Sequence, residues 1–179
     1  EILNEQTQRI HKLIMALLDL TQMQSGKIQI VQETVDLCSL VKWIVDTLQR
    51  IDTSHPINYH LPEHPVLVLG DTMRLEQVIQ NLLTNAIKYS PYGSDISISV
   101  SYNAEQTHGI ISVSDQGIGI PENEIPYLFE LFYRASNTSK QHSGGMGIGL
   151  AVIKEIVTLH QGTIQVTSQE GHGSTFTVY

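Results

Sequence analysis

The spacing of hydrophobic positions changes several times along this chain, and each change marks an element. At the start, Leu3, Ile10, Leu13, Leu17 and Leu20 recur at helical steps, with Ile14 and Leu18 widening the stripe. That spacing predicts a helix, and Ser25-Gly26 supplies its C-terminal stop. The stripe has two readings. The helix packs on its own domain, or it is half of a helical hairpin or bundle whose partner lies outside this chain or in another copy. No later segment offers an obvious long apolar mate, which favours the second reading.

After Lys27 the period falls to two through Ile28, Ile30 and Val35, which predicts a strand. Leu37 to Ile51 reads as an amphipathic helix with Leu40, Val41, Ile44, Val45 and Leu48 inward. Short strands are expected near Ile57–Leu61 and Val66–Leu69. Asp71 is a candidate N-cap for a long helix reaching about Tyr89. Pro91-Tyr92-Gly93 is a turn, followed by strands at Ile96–Val100 and Ile110–Val113 that lead to Asp115. A helix is expected near Glu122–Leu131, with Phe129 and Phe132 at its core-facing end, then a polar loop at Ser136–Ser143. A helix from about Ile148 to His160 and strands at Thr163–Ser168 and Ser174–Tyr179 complete the chain. Strands interspersed with helices predict a two-layer α/β sandwich, one sheet covered on one face.

Composition narrows the function. The chain has 179 residues, of which 41% are hydrophobic, enough for one domain and a short appendage. A net charge of −8 argues against a nucleic-acid partner, which would need a basic surface to displace counterions. Cys38 is the only cysteine, so no disulfide holds the fold, and a reduced cytoplasmic setting fits. No apolar run approaches the ~20 residues of a membrane span. The chain begins at Glu1 without a charged leader, and an excerpt from a longer protein is expected.

Four clusters carry chemistry. Asn81, Asn85 and Lys88 fall at i, i+4 and i+7, on one face of the Asp71 helix. An amide oxygen suits Mg²⁺ and an ammonium suits phosphate, although polar residues on a helix face are more often plain surface. Asp115-Gln116-Gly117-Ile118-Gly119-Ile120-Pro121 follows a strand directly. An ionised Asp there accepts hydrogen bonds only and could read an exocyclic amine; a simple Asp-Gly turn is the plainer alternative. The dinucleotide fingerprint fails, because Glu122 stands at its third glycine. Ser143-Gly144-Gly145-Met146-Gly147-Ile148-Gly149-Leu150 opens a helix and offers a row of backbone N–H groups to an anion. It lacks the lysine of a P-loop. Leu128-Phe129-Glu130-Leu131-Phe132-Tyr133-Arg134 is an aromatic run ending in a cation that could swing over a phosphate.

In this order and spacing, the Asn, D-x-G-x-G, aromatic and G-x-G-x-G boxes resemble the catalytic domain of sensor histidine kinases. That branch shares its ATPase superfamily with gyrases, heat-shock chaperones and mismatch-repair ATPases. The resemblance covers nearly the whole chain. It implies an α+β fold of the Bergerat type: a mixed sheet covered by helices on one face, with an added N-terminal helix. Residues 1–26 would be the end of the second dimerisation-hairpin helix and 27–179 the ATP-binding domain.

The resemblance also implies roles. Asn85 would ligate Mg²⁺, with Asn81 nearby, Lys88 on the phosphates and Tyr89 lining the nucleotide. Asp115 would bind the adenine amine, with Gly117 and Gly119 letting the base approach and Ile120 beside them. Arg134 would reach the terminal phosphate. Gly145, Met146, Gly147, Ile148, Gly149 and Leu150 would wrap the triphosphate, and Thr175 would close the back of the adenine pocket. In hydrolase branches a Glu precedes the Mg²⁺ asparagine by four residues. Here that place holds Asn81, which cannot act as a general base. None of the eight histidines sits in the acceptor box of these kinases, a His followed by Glu or Asp and shortly by Pro. The expected activity is therefore transfer of the ATP γ-phosphate to a histidine on a hairpin absent from the chain. The expected partners are that hairpin, a response regulator and a second copy of the parent protein, whose anchoring to a membrane stays open. The alternatives are a degenerate nucleotide-sensing kinase module and an ATPase of the same superfamily.

Overall fold

The computed structural model describes residues 7, 14, 15, 17–23, 25, 26, 30–51, 54–138 and 146–179. Helix α1 is described over 17–23. It is followed by β1 (Glu33–Asp36), α2 (Leu37–Ile51), β2 (Ile57–His60), β3 (Leu67–Gly70) and α3 (Thr72–Tyr89). Strands β4 (Ile96–Tyr102) and β5 (Gly109–Asp115), helix α4 (Gly149–Leu159), and strands β6 (Ile164–Gln169) and β7 (Gly173–Val178) complete it. A short 3-10 helix occupies Glu122–Tyr127.

Five strands form one mixed sheet in the order β2-β4-β5-β7-β6, with β2 parallel to β4 and the other pairs antiparallel. The alternation seen in the sequence decides its faces. Ile96, Ile98 and Val100 of β4, Ile111 and Val113 of β5, and Phe176 and Val178 of β7 are buried. They share one core with the apolar faces of α2, α3 and α4. Between them, Ser112 and Ser114 pair by hydroxyl hydrogen bonds with Thr177 and Thr175, both at 2.9 Å. One face is thus covered by helices and the other carries hydroxyls. The fold is the expected α+β arrangement.

Local signals set the helix ends. Asp71 caps α3 by accepting from the Arg74 N–H at 3.2 Å, as its sequence position predicts. Three expectations need correction. The strand read from Ile28 to Val35 is shorter: Ile30 lies outside any strand, Ile28 outside the described residues, and β1 pairs with β3 in a separate two-stranded sheet. The helix read at Glu122–Leu131 is a 3-10 segment ending at Tyr127, because Pro126 has no N–H to donate and disrupts α-helical bonding. Phe132 is not a core residue. It is 55% exposed with φ +66°, beyond the end of that segment.

Leu20 and Met23 of α1 are buried in the domain core, and Leu17 packs against it. The Arg74 guanidinium of α3 grips the Asp19 carboxylate with two bonds of 2.6 and 3.0 Å. Ile14, Met15 and Leu18 remain exposed. Leu3, Ile10 and Leu13 lie outside the described residues. Among the described residues, no helix is long and apolar enough to cross a membrane.

Candidate functional site

An open cleft lies among α3, the cleft ends of β5 and β7, the 133–138 segment and the start of α4. The apolar stripe of α3 (Val78, Ile79, Leu82, Leu83, Ala86) is fixed against the core, which brings Asn85, Lys88 and Tyr89 to the cleft wall. The Lys88 ammonium lies 3.2 Å from the Tyr89 hydroxyl and 4.8 Å from its ring centroid. Asn81, one turn earlier, is half-buried and does not line the cleft.

Asp115 ends β5 on the same side as Ile111 and Val113, so the pleat turns its carboxylate into the cleft wall. Burial pushes its pKa above the ordinary carboxylate value. Donation from the Gly117 and Ser174 N–H groups opposes this, with Gly117 N at 2.8 Å from Oδ1. The acceptor is desolvated and already oriented. Gly117 is buried beneath the cleft rather than lining it, while Gly119 and Ile120 do line it. Gly119 has a packing reason to be glycine. Its φ is +62°, and a Cβ would stand 1.9 Å from the Gln169 carbonyl oxygen.

The opposite end is the N-terminus of α4. Its N-cap, Ile148, makes no side-chain cap bond to the first-turn N–H groups. Met146, Gly147, Gly149 and Leu150 line the cleft at that end, whereas Ile148 is buried in the core. Gly147, at φ +68°, accepts from the Phe132 N–H at 2.8 Å, and a Cβ there would meet the Phe132 backbone at 2.6 Å. The aromatic and glycine boxes are thereby joined through backbone. Gly145 lies outside the described residues. Arg134 is exposed at the cleft rim.

Thr175 does not reach the cleft. It lies on the hydroxyl face of the sheet and donates to Ser114, while its neighbour Ser174 lines the cleft. Antiparallel register decides this, because Asp115 pairs with Ser174 and period two sends Thr175 to the other side. Tyr133 of the aromatic run also lines the cleft, as do Asn137 and Thr138, which carried no signal in the sequence. Asn137 arrives by donating from Nδ2 to the Gly119 carbonyl at 3.1 Å, a contact between residues far apart in the chain.

Residues 70–179 match the sequence profile described as "Histidine kinase-, DNA gyrase B-, and HSP90-like ATPase". The chain belongs to this family. Membership makes it an ATP-binding domain, and the resemblance to its sensor histidine kinase branch extends to individual relatives. The chain is 34% identical over 177 residues to the sensor histidine kinase WalK of Bacillus subtilis, covering 98% of this chain and 29% of that protein. Among solved structures, the Acinetobacter baumannii histidine kinase AdeS superposes with a TM-score of 0.78 at 27% identity, covering 98% of this chain and 80% of that one. The mycobacterial sensor histidine kinase MprB gives 0.71 at 28% identity, covering 83% and 95%. This member of the ATPase family thus spans under a third of the WalK protein it matches.

Proposed function

We propose that this chain is the catalytic ATP-binding part of a two-component sensor histidine kinase. In this reading it binds Mg-ATP in the cleft and donates the γ-phosphate to a histidine on a helical hairpin outside the chain. The carrying observation is the pairing of opposite polarities in one cleft. A desolvated carboxylate acceptor, Asp115, stands at one end, and the N-terminus of α4, with an apolar N-cap residue, at the other. The first suits an adenine amine and the second a phosphate chain.

In this reading Asp115 orients the base, with Ser174 beside it. Tyr89 and Ile120 flank the nucleotide, and Met146, Gly147, Gly149 and Leu150 hold the phosphates together with Lys88 and Arg134. Asn85 offers a neutral amide oxygen on the cleft wall. That donor fits Mg²⁺, which takes few protein ligands and keeps phosphate oxygens and water. When bound, the ion would neutralise charge on the phosphates. Asn81 cannot take a proton from water, so transfer is favoured over hydrolysis, and the ATPase alternative is weakened. Catalysis by this chain is then positioning and charge neutralisation. Residues 1–26 are read as the end of the hairpin helix and 27–179 as the catalytic domain. The parent protein is read as a homodimer with a response regulator as its next acceptor.

The test is a transfer assay with ATP labelled in its γ-phosphate. This chain and Mg²⁺ are incubated with a separately made protein carrying an upstream hairpin of this kinase class. Acid-labile label should appear on the hairpin and not on this chain. Multiple-turnover release of free phosphate without any hairpin would overturn the proposal in favour of an ATPase.

A further inference from the structure

Arg134 lies between two residues that hydrogen-bond to the same carboxylate. Glu124, in the first turn of the 3-10 segment, accepts from the Ser136 N–H at 2.8 Å, from the Ser136 hydroxyl, and from the Tyr133 hydroxyl at 3.0 Å. These donors favour the charged carboxylate and hold its pKa below the ordinary value, the Ser136 hydroxyl first and the Ser136 N–H second. One residue beyond Ser136, the Asn137 amide ties the same stretch to Gly119. The segment that brings Tyr133, Arg134, Asn137 and Thr138 to the cleft is therefore fastened on one side to the 3-10 segment. On the other it is fastened to the turn that follows Asp115. Glu124 itself does not line the cleft.

We infer that Glu124 is a positioning residue for Arg134, holding the chain on both sides so that the guanidinium is delivered to the terminal phosphate of the nucleotide. This rests on the proposed function in giving Arg134 that phosphate. Ordering a residue on binding costs backbone freedom as well as side-chain freedom, and a backbone fixed beforehand removes the first of these costs. A clasp made of charge-assisted hydrogen bonds supplies that fixation while the carboxylate stays outside the cleft.

The experiment measures equilibrium affinity of the full chain for a non-hydrolysable ATP analogue and for ADP, both with Mg²⁺. The proteins are wild type, Glu124→Gln, Ser136→Ala, Arg134→Ala and the Glu124→Gln/Arg134→Ala double variant. Arg134→Ala and Glu124→Gln should each weaken the triphosphate about tenfold, the value of one charge-assisted hydrogen bond, and leave ADP within about twofold. The double variant should be no worse than Arg134→Ala, because both remove the same contact. Ser136→Ala keeps the N–H donor and should show a smaller loss in the same direction, which keeps the test sound if Glu124→Gln unfolds. Equal losses for both nucleotides, or losses that multiply in the double variant, would mean that Glu124 only supports the fold. Undiminished triphosphate binding by Arg134→Ala would instead remove the role of Arg134, and this inference with it.

Discussion

Asp115 and Ser174 are register partners at the cleft end of the β5–β7 pair, and the Gly117 N–H donates to the Asp115 carboxylate at 2.8 Å. The carboxylate is therefore held rigidly in a poorly solvated place before any ligand arrives. A ligand N–H that reaches it gains a charged hydrogen bond with little reordering.

Asp115→Asn should weaken ATP about ten- to hundredfold, the range expected from losing a hydrogen bond to a charged acceptor. GTP, which presents a carbonyl where ATP has its amine, should bind wild type more weakly than ATP does. Calorimetric titration of both nucleotides checks this. Equal affinity of wild type for the two would remove Asp115 from base recognition.

The same residue predicts a pH dependence. A carboxyl whose folded pKa is raised contributes stability that is full below its unfolded value near 3.8 and is lost as pH rises through the folded value. Unliganded wild type should therefore lose stability relative to Asp115→Asn as pH rises from about 4 to 7. Urea unfolding of both proteins across that range measures the difference. A gap that stays constant would show that the carboxylate is solvated.

Two glycines of the boxes should behave oppositely. Gly119→Ala forces a Cβ to 1.9 Å from the Gln169 carbonyl oxygen at positive φ, and should cost several kcal/mol or prevent folding. Gly149 begins α4, and a Cβ added to it would meet nothing within 4 Å among the described residues. Gly149→Ala should leave stability unchanged or raise it by up to about 1 kcal/mol. Its ATP affinity should fall, because the methyl would enter the cleft. Thermal melts and nucleotide titrations separate the two effects.

Removing residues 1–24 should destabilise the domain rather than trim a loose appendage. Leu20 and Met23 are 4% and 2% exposed, and truncating either to Ala should cost about 2–5 kcal/mol. Arg74→Ala should cost less, about 1 kcal/mol, since its pairing with Asp19 is partly exposed. Urea unfolding of the deletion and the three point variants gives the order. A Met23→Ala protein as stable as wild type would mean that α1 is not part of this core.

Much of this fold follows from local pattern alone. The bounds of α2, the Asp71 cap of α3 and the inward residues of β4 and β5 were set by periodicity and capping, which act within a few residues. The four boxes likewise marked Asn85, Lys88, Asp115 and Gly147 for one place, and these residues line one cleft. Long-range pairing decided the rest. The register of β5 on β7 set Ser174 directly opposite Asp115 at the cleft, a pairing that the alternation of Phe176 and Val178 with Thr175 and Thr177 does not specify. Folding also brought Leu20 and Met23 into a core their own stripe does not name, and set Glu124 beside Ser136 twelve residues away. Periodicity fixes which side of an element is apolar. What that side meets depends on contacts between distant residues, whose free energy exists only once the chain has closed around them.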